Sequence, residues 1–167
     1  MMSPLVVTLR CEGEGWRRCQ ELRQRHFPPE RNKVPAHIAL FHLLPGEELA
    51  QVEADAFAVC SAFSSFPVQV TRPRSLGRGV ALNLQSPELL ELHGALSRTW
   101  EPWLTPQDQA KFSPHVTIQN KVNPAVARAL LHSLTLSFEP FSFSATGVEV
   151  WHYRNGPWEP AAVVSFH

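Results

Sequence analysis

The chain has 167 residues, of which 44% are hydrophobic and 18% are charged. This composition is typical of one globular domain and argues against a disordered segment. The 15 Lys and Arg residues balance the 15 Asp and Glu residues. A protein that coats long nucleic acid must neutralise many phosphates, so zero net charge argues against that class. It is compatible with a small phosphorylated ligand or an RNA end.

The start of the chain lacks the basic residues of a secretory signal peptide, and its first apolar run stops at Arg10. No stretch approaches the roughly 20 apolar residues of a membrane span. The cysteines are odd in number and have no Cys-x-x-Cys spacing, which predicts reduced thiols at Cys11, Cys19 and Cys60. No metal-binding motif is present either. We therefore expect a cytoplasmic monomer that uses no membrane, metal or other cofactor.

The first half of the chain alternates strands and helices. β-branched residues predict a strand over residues 5–10, and apolar residues at helical spacing predict a helix over residues 15–25. A second strand is predicted over residues 36–44 and ends at Pro45-Gly46. A second helix is predicted over residues 47–63, with two acidic residues in its first turn, where the helix dipole favours them.

Two further strands are predicted over residues 66–71 and 79–84, joined by a glycine-containing turn at residues 74–78. Ser86 followed by Pro87 predicts the start of a third helix, because Ser is a preferred N-cap and Pro a preferred first helical residue.

The rest of the chain is predicted to contain a loop over residues 101–114, a strand over 115–122, a helix from Asn123-Pro124, and strands over 141–153 and 161–166. These seven strands and four helices do not alternate regularly. A mixed or antiparallel α+β sheet is therefore favoured over a doubly wound one. The order of elements suggests two comparable halves.

The strongest chemical signal is a pair of matching segments, Pro35-Ala36-His37-Ile38-Ala39-Leu40 and Ser113-Pro114-His115-Val116-Thr117-Ile118. Each places a histidine at the start of a predicted strand, close after a proline. Alternation along a strand puts His37 and Ala39 on one face, and His115 and Thr117 likewise, while the aliphatic residues are buried. A lone strand histidine is more often structural, but this pair favours a functional site between the two halves. One neutral imidazole can accept a proton while another, protonated, donates one.

These segments resemble the 2H phosphoesterases, a superfamily that includes bacterial 2′–5′ RNA ligase-like proteins and cyclic nucleotide phosphodiesterases. The signature of that family is two His-x-Thr/Ser-x tetrads about half a chain apart. The resemblance extends over nearly the whole chain and includes the segments 35–45, Gly77-Arg78-Gly79-Val80, Ser86-Pro87 and Trp158-Glu159-Pro160. It implies one bilobal α+β domain over residues 1–167, with two antiparallel sheets facing each other across a central cleft and helices on the outside.

By the same resemblance, His37 and His115 match the catalytic histidines and Thr117 matches the phosphate-binding hydroxyl. Ala39 departs from the family, which usually has Thr or Ser at this position. The implied activity is metal-independent cleavage of 2′,3′-cyclic phosphate or 2′–5′ linkages by two-histidine acid–base catalysis. The implied substrate is a nucleotide or an RNA terminus.

Three further residues are candidates for substrate binding, each with a plainer alternative. Lys121 continues the His115 face with Gln119 and either pairs with phosphate or is a solvated lysine. Phe41 continues the His37 face and either stacks on a base or, more often, belongs to the core. Arg78 either reaches a phosphate or is a turn residue.

The other aromatic and histidine residues give weaker signals. Trp151 and Tyr153 alternate with His152 on a predicted strand, and the sequence does not show which face meets the cleft. His42 is predicted to lie on the face opposite His37. Two alternatives to an enzyme remain: a module that binds a nucleotide or RNA end without turnover, which the alanine at position 39 favours, and a scaffold with structural histidines.

Overall fold

The computed structural model describes residues 2–167. Its strands are β1 (Leu5–Glu12), β2 (Ala39–Leu44), β3 (Phe66–Ser75), β4 (Val80–Gln85), β5 (His115–Gln119), β6 (Phe141–Tyr153) and β7 (Trp158–Ser165). Its helices are α1 (Glu14–His26), α2 (Leu49–Cys60), α3 (Pro87–Trp100), α4 (Pro106–Gln109) and α5 (Pro124–Ser137). The strand pairs are antiparallel, so the predicted α+β class with an antiparallel sheet is confirmed.

Strand β6 joins the strands into one sheet. The strand order is β2-β1-β6-β3-β4-β5, and β7 also pairs with β6. The 13 residues of β6 pair with β3 near their start and with β7 near their end, while β1 runs along the opposite side. The expectation of two separate sheets is therefore wrong for residues 2–167. One strand is long enough to pair with both halves and connects them by hydrogen bonds.

The starts of α3 and α5 follow their sequence signals. Helix α2 begins at Leu49, after the two acidic residues that were expected in its first turn, and the loop after α3 contains an unpredicted element. The side chains of Ser86 and Asn123 each accept a main-chain N–H at the starts of α3 and α5. The short helix α4 lies within the predicted loop and is capped by Thr105, which accepts the N–H of Asp108. Four residues are too few for hydrophobic periodicity to indicate a helix.

Apolar side chains fill the space between the sheet and the helices. Helix α1 packs on β5 and β6, α5 packs on β3, and α2 packs on α3 and β7. Trp100 is fully buried, and its ring meets the ring of Phe41 edge-on at 5.1 Å between centroids. The indole N–H of Trp100 donates to Asp55 at 3.1 Å, so this large side chain is buried without an unpaired donor. Among residues 2–167, none of the helices has both the length and the apolar composition that a membrane span needs.

Candidate active site

Both histidine tetrads line one cavity, although the first leads into β2 and the second lies in β5, at the two ends of the strand order. His37 thus precedes its strand, whereas His115 begins its own. The cavity has a volume of about 320 Å³. Its walls include His37, Ala39 and His42 on the β2 side, and Arg74, His115 and Thr117 on the β5 side. We call it the histidine cavity. Two end strands can share a cavity only if the sheet between them twists and curves.

His37 and His115 are anchored in the same way. The Nδ1 atom of His37 lies 2.9 Å from the carbonyl oxygen of Pro35, and that of His115 lies 2.9 Å from the carbonyl oxygen of Ser113. A carbonyl oxygen only accepts, so Nδ1 carries the proton in each ring. The neutral tautomer therefore leaves the Nε2 lone pair of both imidazoles available for proton transfer.

Both of these histidines are held in the neutral form. Burial lowers the pKa of His37 to about 4, and the positive charge of Arg23 acts in the same direction. Burial also lowers the pKa of His115, together with the charges of Arg74 and His42. The carbonyl anchors oppose these shifts only in part. A bound anion such as a phosphate would raise both pKa values, because it favours the protonated rings.

Arg74 brings a positive charge next to the second tetrad. Ala81 pairs with both Arg74 and Thr117 across the sheet, which places these side chains in one row on the same face. Nη1 of Arg74 donates to Asn83 Oδ1 and to Ser113 Oγ, each at 2.9 Å. Sequence reasoning missed Arg74 because it assigned residues 74–78 to a turn, whereas β3 extends to Ser75.

A β-bulge in β2 changes which side chains face the cavity. Val7 pairs with Phe41 while the next residue of β1, Thr8, pairs with Ala39, so β2 contains one extra residue here. The bulge places His42 in the wall of the histidine cavity. Phe41 is fully buried, so the idea that it stacks on a base is wrong. The prediction that His42 lies on the opposite face is wrong for the same reason.

The carboxylate of Asp108, in α4, forms hydrogen bonds with both the ring and the main chain of His42. The carboxylate of Asp108 lies 2.8 Å from Nδ1 of His42 and accepts the main-chain N–H of His42 at 2.9 and 3.1 Å. Burial alone would raise the pKa of Asp108, but the hydrogen bonds from His42 outweigh it and hold the pKa below its usual value. Asp108 is therefore ionised at neutral pH.

Aromatic rings form part of the cavity wall. His93 of α3 is stacked between Phe41 and Phe112, at 4.8 and 3.8 Å between ring centroids. His93 and Phe112 also line the histidine cavity. On the β2 side, the ring of Trp158 lies 4.7 Å from that of His37. The two tetrads are thus flanked by rigid apolar surfaces.

The remaining sequence candidates lie outside the cavity wall. Lys121 is exposed just beyond the end of β5, with a positive φ of 60°. Arg78 is also exposed, and its Nε donates to the carbonyl of Val122 at 3.2 Å. The β5 strand ends at Gln119, which is buried, so the alternation that favoured Lys121 does not continue to it. Trp151 donates its indole N–H to Thr8.

The charge of the histidine cavity suits an anion. Arg74 and Lys111 contribute positive charge, and the negative charge of Asp108 is engaged by His42. In the part of the chain that the structure describes, no group of three or more His, Cys, Asp or Glu side chains is arranged to hold a metal ion. The cavity wall therefore combines positive charge, hydrogen-bond donors and imidazole rings, which are groups that can hold an anion.

Comparisons with known proteins concern the family and the overall fold. The sequence matches the model of the 2′-5′ RNA ligase superfamily over residues 12–157. The fold is similar to that of the Thermus thermophilus protein TT0787, with a TM-score of 0.71, 17% identity and coverage of 98% of this chain and 97% of that chain. It is also similar to E. coli LigT, with a TM-score of 0.66, 18% identity and 99% of both chains covered. No curated protein matches the sequence. Since the family model covers most of the chain, the resemblance to the 2H phosphoesterases is confirmed, and the chain belongs to the 2′-5′ RNA ligase superfamily.

Proposed function

We propose that the chain is a phosphoesterase that acts on 2′,3′-cyclic phosphates or 2′–5′ linkages of nucleotides or RNA termini. In this proposal His37 and His115 perform acid–base catalysis without a metal. The observation that supports it most directly is the pair of identical Nδ1 anchors, which leaves Nε2 of both rings for the same cavity. Membership in the superfamily supports an enzyme of the phosphoesterase or ligase type.

In hydrolysis, Nε2 of one imidazole accepts a proton from water as the water oxygen bonds to phosphorus. The bond from phosphorus to the ribose oxygen breaks, and that oxygen takes a proton from Nε2 of the other imidazole. Solvent then restores the original protonation of both rings. Ligation follows the same steps, with a ribose hydroxyl in place of water as the group that bonds to phosphorus. The reaction needs one neutral and one protonated ring, and a bound phosphate supplies the negative charge that stabilises the second.

Two side chains on the β5 side would hold the phosphoryl oxygens. Thr117 lines the cavity in the same cross-strand row as Arg74, so a hydroxyl donor and a guanidinium approach the same region. Preorganised donors of this kind stabilise charge as it develops in the transition state. Lys111 adds a second cation to the wall.

A module that binds nucleotides without turnover is the second candidate. Ala39 removes a hydroxyl from the first tetrad, and burial lowers the pKa of both histidines, which favours their neutral forms. Such a module would hold a phosphate but would lack the protonated ring that the leaving oxygen needs. E. coli LigT, which shares the fold, has been crystallised with 3′-AMP and with phosphate, so both ligands are suitable probes for this chain.

The test is product formation from a nucleoside 2′,3′-cyclic phosphate in the presence of EDTA. We expect turnover to continue under chelation and to fall by about 10²–10⁴-fold in His37→Ala and in His115→Ala. His132→Ala is the matched control, since His132 is exposed on α5. All three variants should keep their melting temperature, because these side chains fill no core space. Binding of the nucleotide without turnover would favour the second candidate, and loss of turnover with EDTA would contradict metal independence.

A further inference from the structure

His42 is a third imidazole in the histidine cavity, and the two-histidine reaction gives it no role. The bulge in β2 places it in the wall with His37 and Ala39. Its side chain is 42% exposed, so a ligand in the cavity can reach it. His42 lines the same cavity as His37 and His115.

Asp108 determines which nitrogen of His42 faces the cavity. The carboxylate of Asp108 is buried, and as an ionised group it only accepts hydrogen bonds. Nδ1 of His42, at 2.8 Å, must therefore carry a proton. Nε2 has no hydrogen-bond partner within residues 2–167 and is the nitrogen left for a ligand.

The main chain fixes this arrangement independently of the ring. Asp108 also accepts the main-chain N–H groups of His42 and, at 3.4 Å, of Leu43. Helix α4 therefore stays attached to β2 by bonds that do not involve the imidazole. This is the arrangement of an orienting carboxylate behind a working histidine, in which the carboxylate stabilises the protonated ring.

The first tetrad lacks a donor that His42 can replace. Ala39 lies in the same wall and offers only a methyl group, whereas Thr117 offers a hydroxyl on the opposite side. A phosphate between His37 and His115 would therefore lack a donor on the β2 side unless a neighbouring side chain supplies one.

We propose that His42, oriented by Asp108, binds the substrate phosphate by donating its Nε2–H to a non-bridging oxygen, in place of the hydroxyl that Ala39 does not provide. The inference rests on the proposed function for the identity of the substrate. When it donates from both nitrogens, the ring is an imidazolium between two anions, Asp108 and the phosphate. The substrate class is thus a phosphate monoanion or dianion rather than a neutral ester.

The experiment measures the affinity for inorganic phosphate by calorimetry, which needs no turnover. We expect His42→Phe, which keeps a ring of similar size, to bind phosphate about ten-fold more weakly or worse. Asp108→Asn keeps an oxygen for the main-chain donors but removes the charge, and should cause a smaller loss. His132→Phe on α5 is the matched control and should bind like the wild type.

A second variant separates binding from a purely structural role. Adding Ala39→Thr to His42→Phe restores a donor on the β2 side, so phosphate affinity should recover in the double variant. A loss of affinity in His42→Phe that Ala39→Thr does not restore would overturn the proposal, and so would unchanged affinity in His42→Phe.

The protonation of the ring gives an independent readout. In the phosphate complex, ¹⁵N spectra should show both nitrogens of His42 protonated, and an unprotonated Nε2 would overturn the proposal. Because these measurements use phosphate alone, a chain that binds it through His42 but cleaves no cyclic phosphate contradicts the proposed function and not this inference.

Discussion

Thr8 and Ala39 lie directly opposite each other in the antiparallel pair of β1 and β2. Their side chains therefore share one face of the sheet. The hydroxyl of Thr8 is buried and accepts the indole N–H of Trp151 at 2.9 Å, and Thr8 is not part of the wall of the histidine cavity. This neighbouring hydroxyl thus does not take the place of the one that Ala39 lacks.

Ala39→Thr should therefore add a contact with the phosphate. A hydroxyl that donates to an anionic oxygen stabilises it by roughly 1–3 kcal/mol, and Thr suits a strand. We expect a rise in kcat/KM for a nucleoside 2′,3′-cyclic phosphate, or at least tighter phosphate binding. Thr117→Ala should lower both quantities. If Ala39→Thr changes neither while Thr117→Ala abolishes both, the two tetrads are not equivalent and a hydroxyl at position 39 does not reach the phosphate.

Arg74 and Arg78 form a matched pair for testing charge in the cavity. Arg74 lines the cavity, whereas Arg78 is exposed and bonded to the carbonyl of Val122. Arg74→Gln should weaken phosphate binding by about ten-fold, because a charge-assisted hydrogen bond is lost. Arg78→Gln should bind phosphate like the wild type in the same calorimetric titration. Equal losses in the two variants would indicate a general effect of net charge instead of a local contact.

The dependence of kcat/KM on pH should be bell-shaped, because the reaction needs one neutral and one protonated ring. The pKa of His37 is about 4, so this ring is neutral over most of the working range and suits proton acceptance. We expect kcat/KM to fall as the pH drops through about 4 and to fall again at higher pH as the acid, His115, loses its proton. A rate that keeps rising as the pH drops through about 4 would contradict a reaction that needs one neutral and one protonated ring.

Acid should also destabilise the fold. Burial lowers the pKa of His37 from 6.5 to about 4, so below pH 6.5 the unfolded chain binds more protons at this site than the folded chain. The free energy of unfolding therefore falls as the pH decreases from 6.5 towards 4. His93 and His115, whose pKa values burial also lowers, contribute with the same sign.

Thermal melts between about pH 7 and about pH 4 measure this effect. We expect the melting temperature to fall on acidification and to fall less steeply in His37→Gln, which has no ring to protonate. Phosphate should reduce the decline in the wild type, because it favours the protonated histidines. A melting temperature that rises on acidification would contradict the buried, neutral state of these rings.

Local signals in the sequence were sufficient for most elements. The strand over residues 141–153 is found as predicted, and Ser86 and Asn123 cap their helices as expected. Period-two alternation placed His37 with Ala39 and His115 with Thr117, and these four residues line the cavity, as does Leu40, which alternation had assigned to the buried face. These features depend on residues that are close in the sequence, which is why a pattern predicts them.

The features that were missed depend on contacts between distant segments. The bulge in β2 arises from its register with β1, and it replaces Phe41 with His42 in the cavity. Asp108 is hydrogen-bonded to His42, which lies far from it in the sequence. Arg74 reaches the site because β3 continues to Ser75, beyond the residues whose apolar alternation predicted a strand. The joining of both halves through β6 is a property of strand pairing, which composition and periodicity do not show.

The bonds between Asp108 and the main chain have a consequence for association between molecules. Strand β2 lies at one end of the strand order, where unpaired N–H groups can recruit a strand from another chain. The carboxylate of Asp108 accepts hydrogen bonds from the main-chain N–H groups of His42 and Leu43, so these groups are not available to another strand. Asp108 also places a negative charge at this edge of the sheet. The bulge in β2 makes the same edge irregular. The same aspartate that orients a cavity histidine therefore protects β2 from edge-to-edge aggregation.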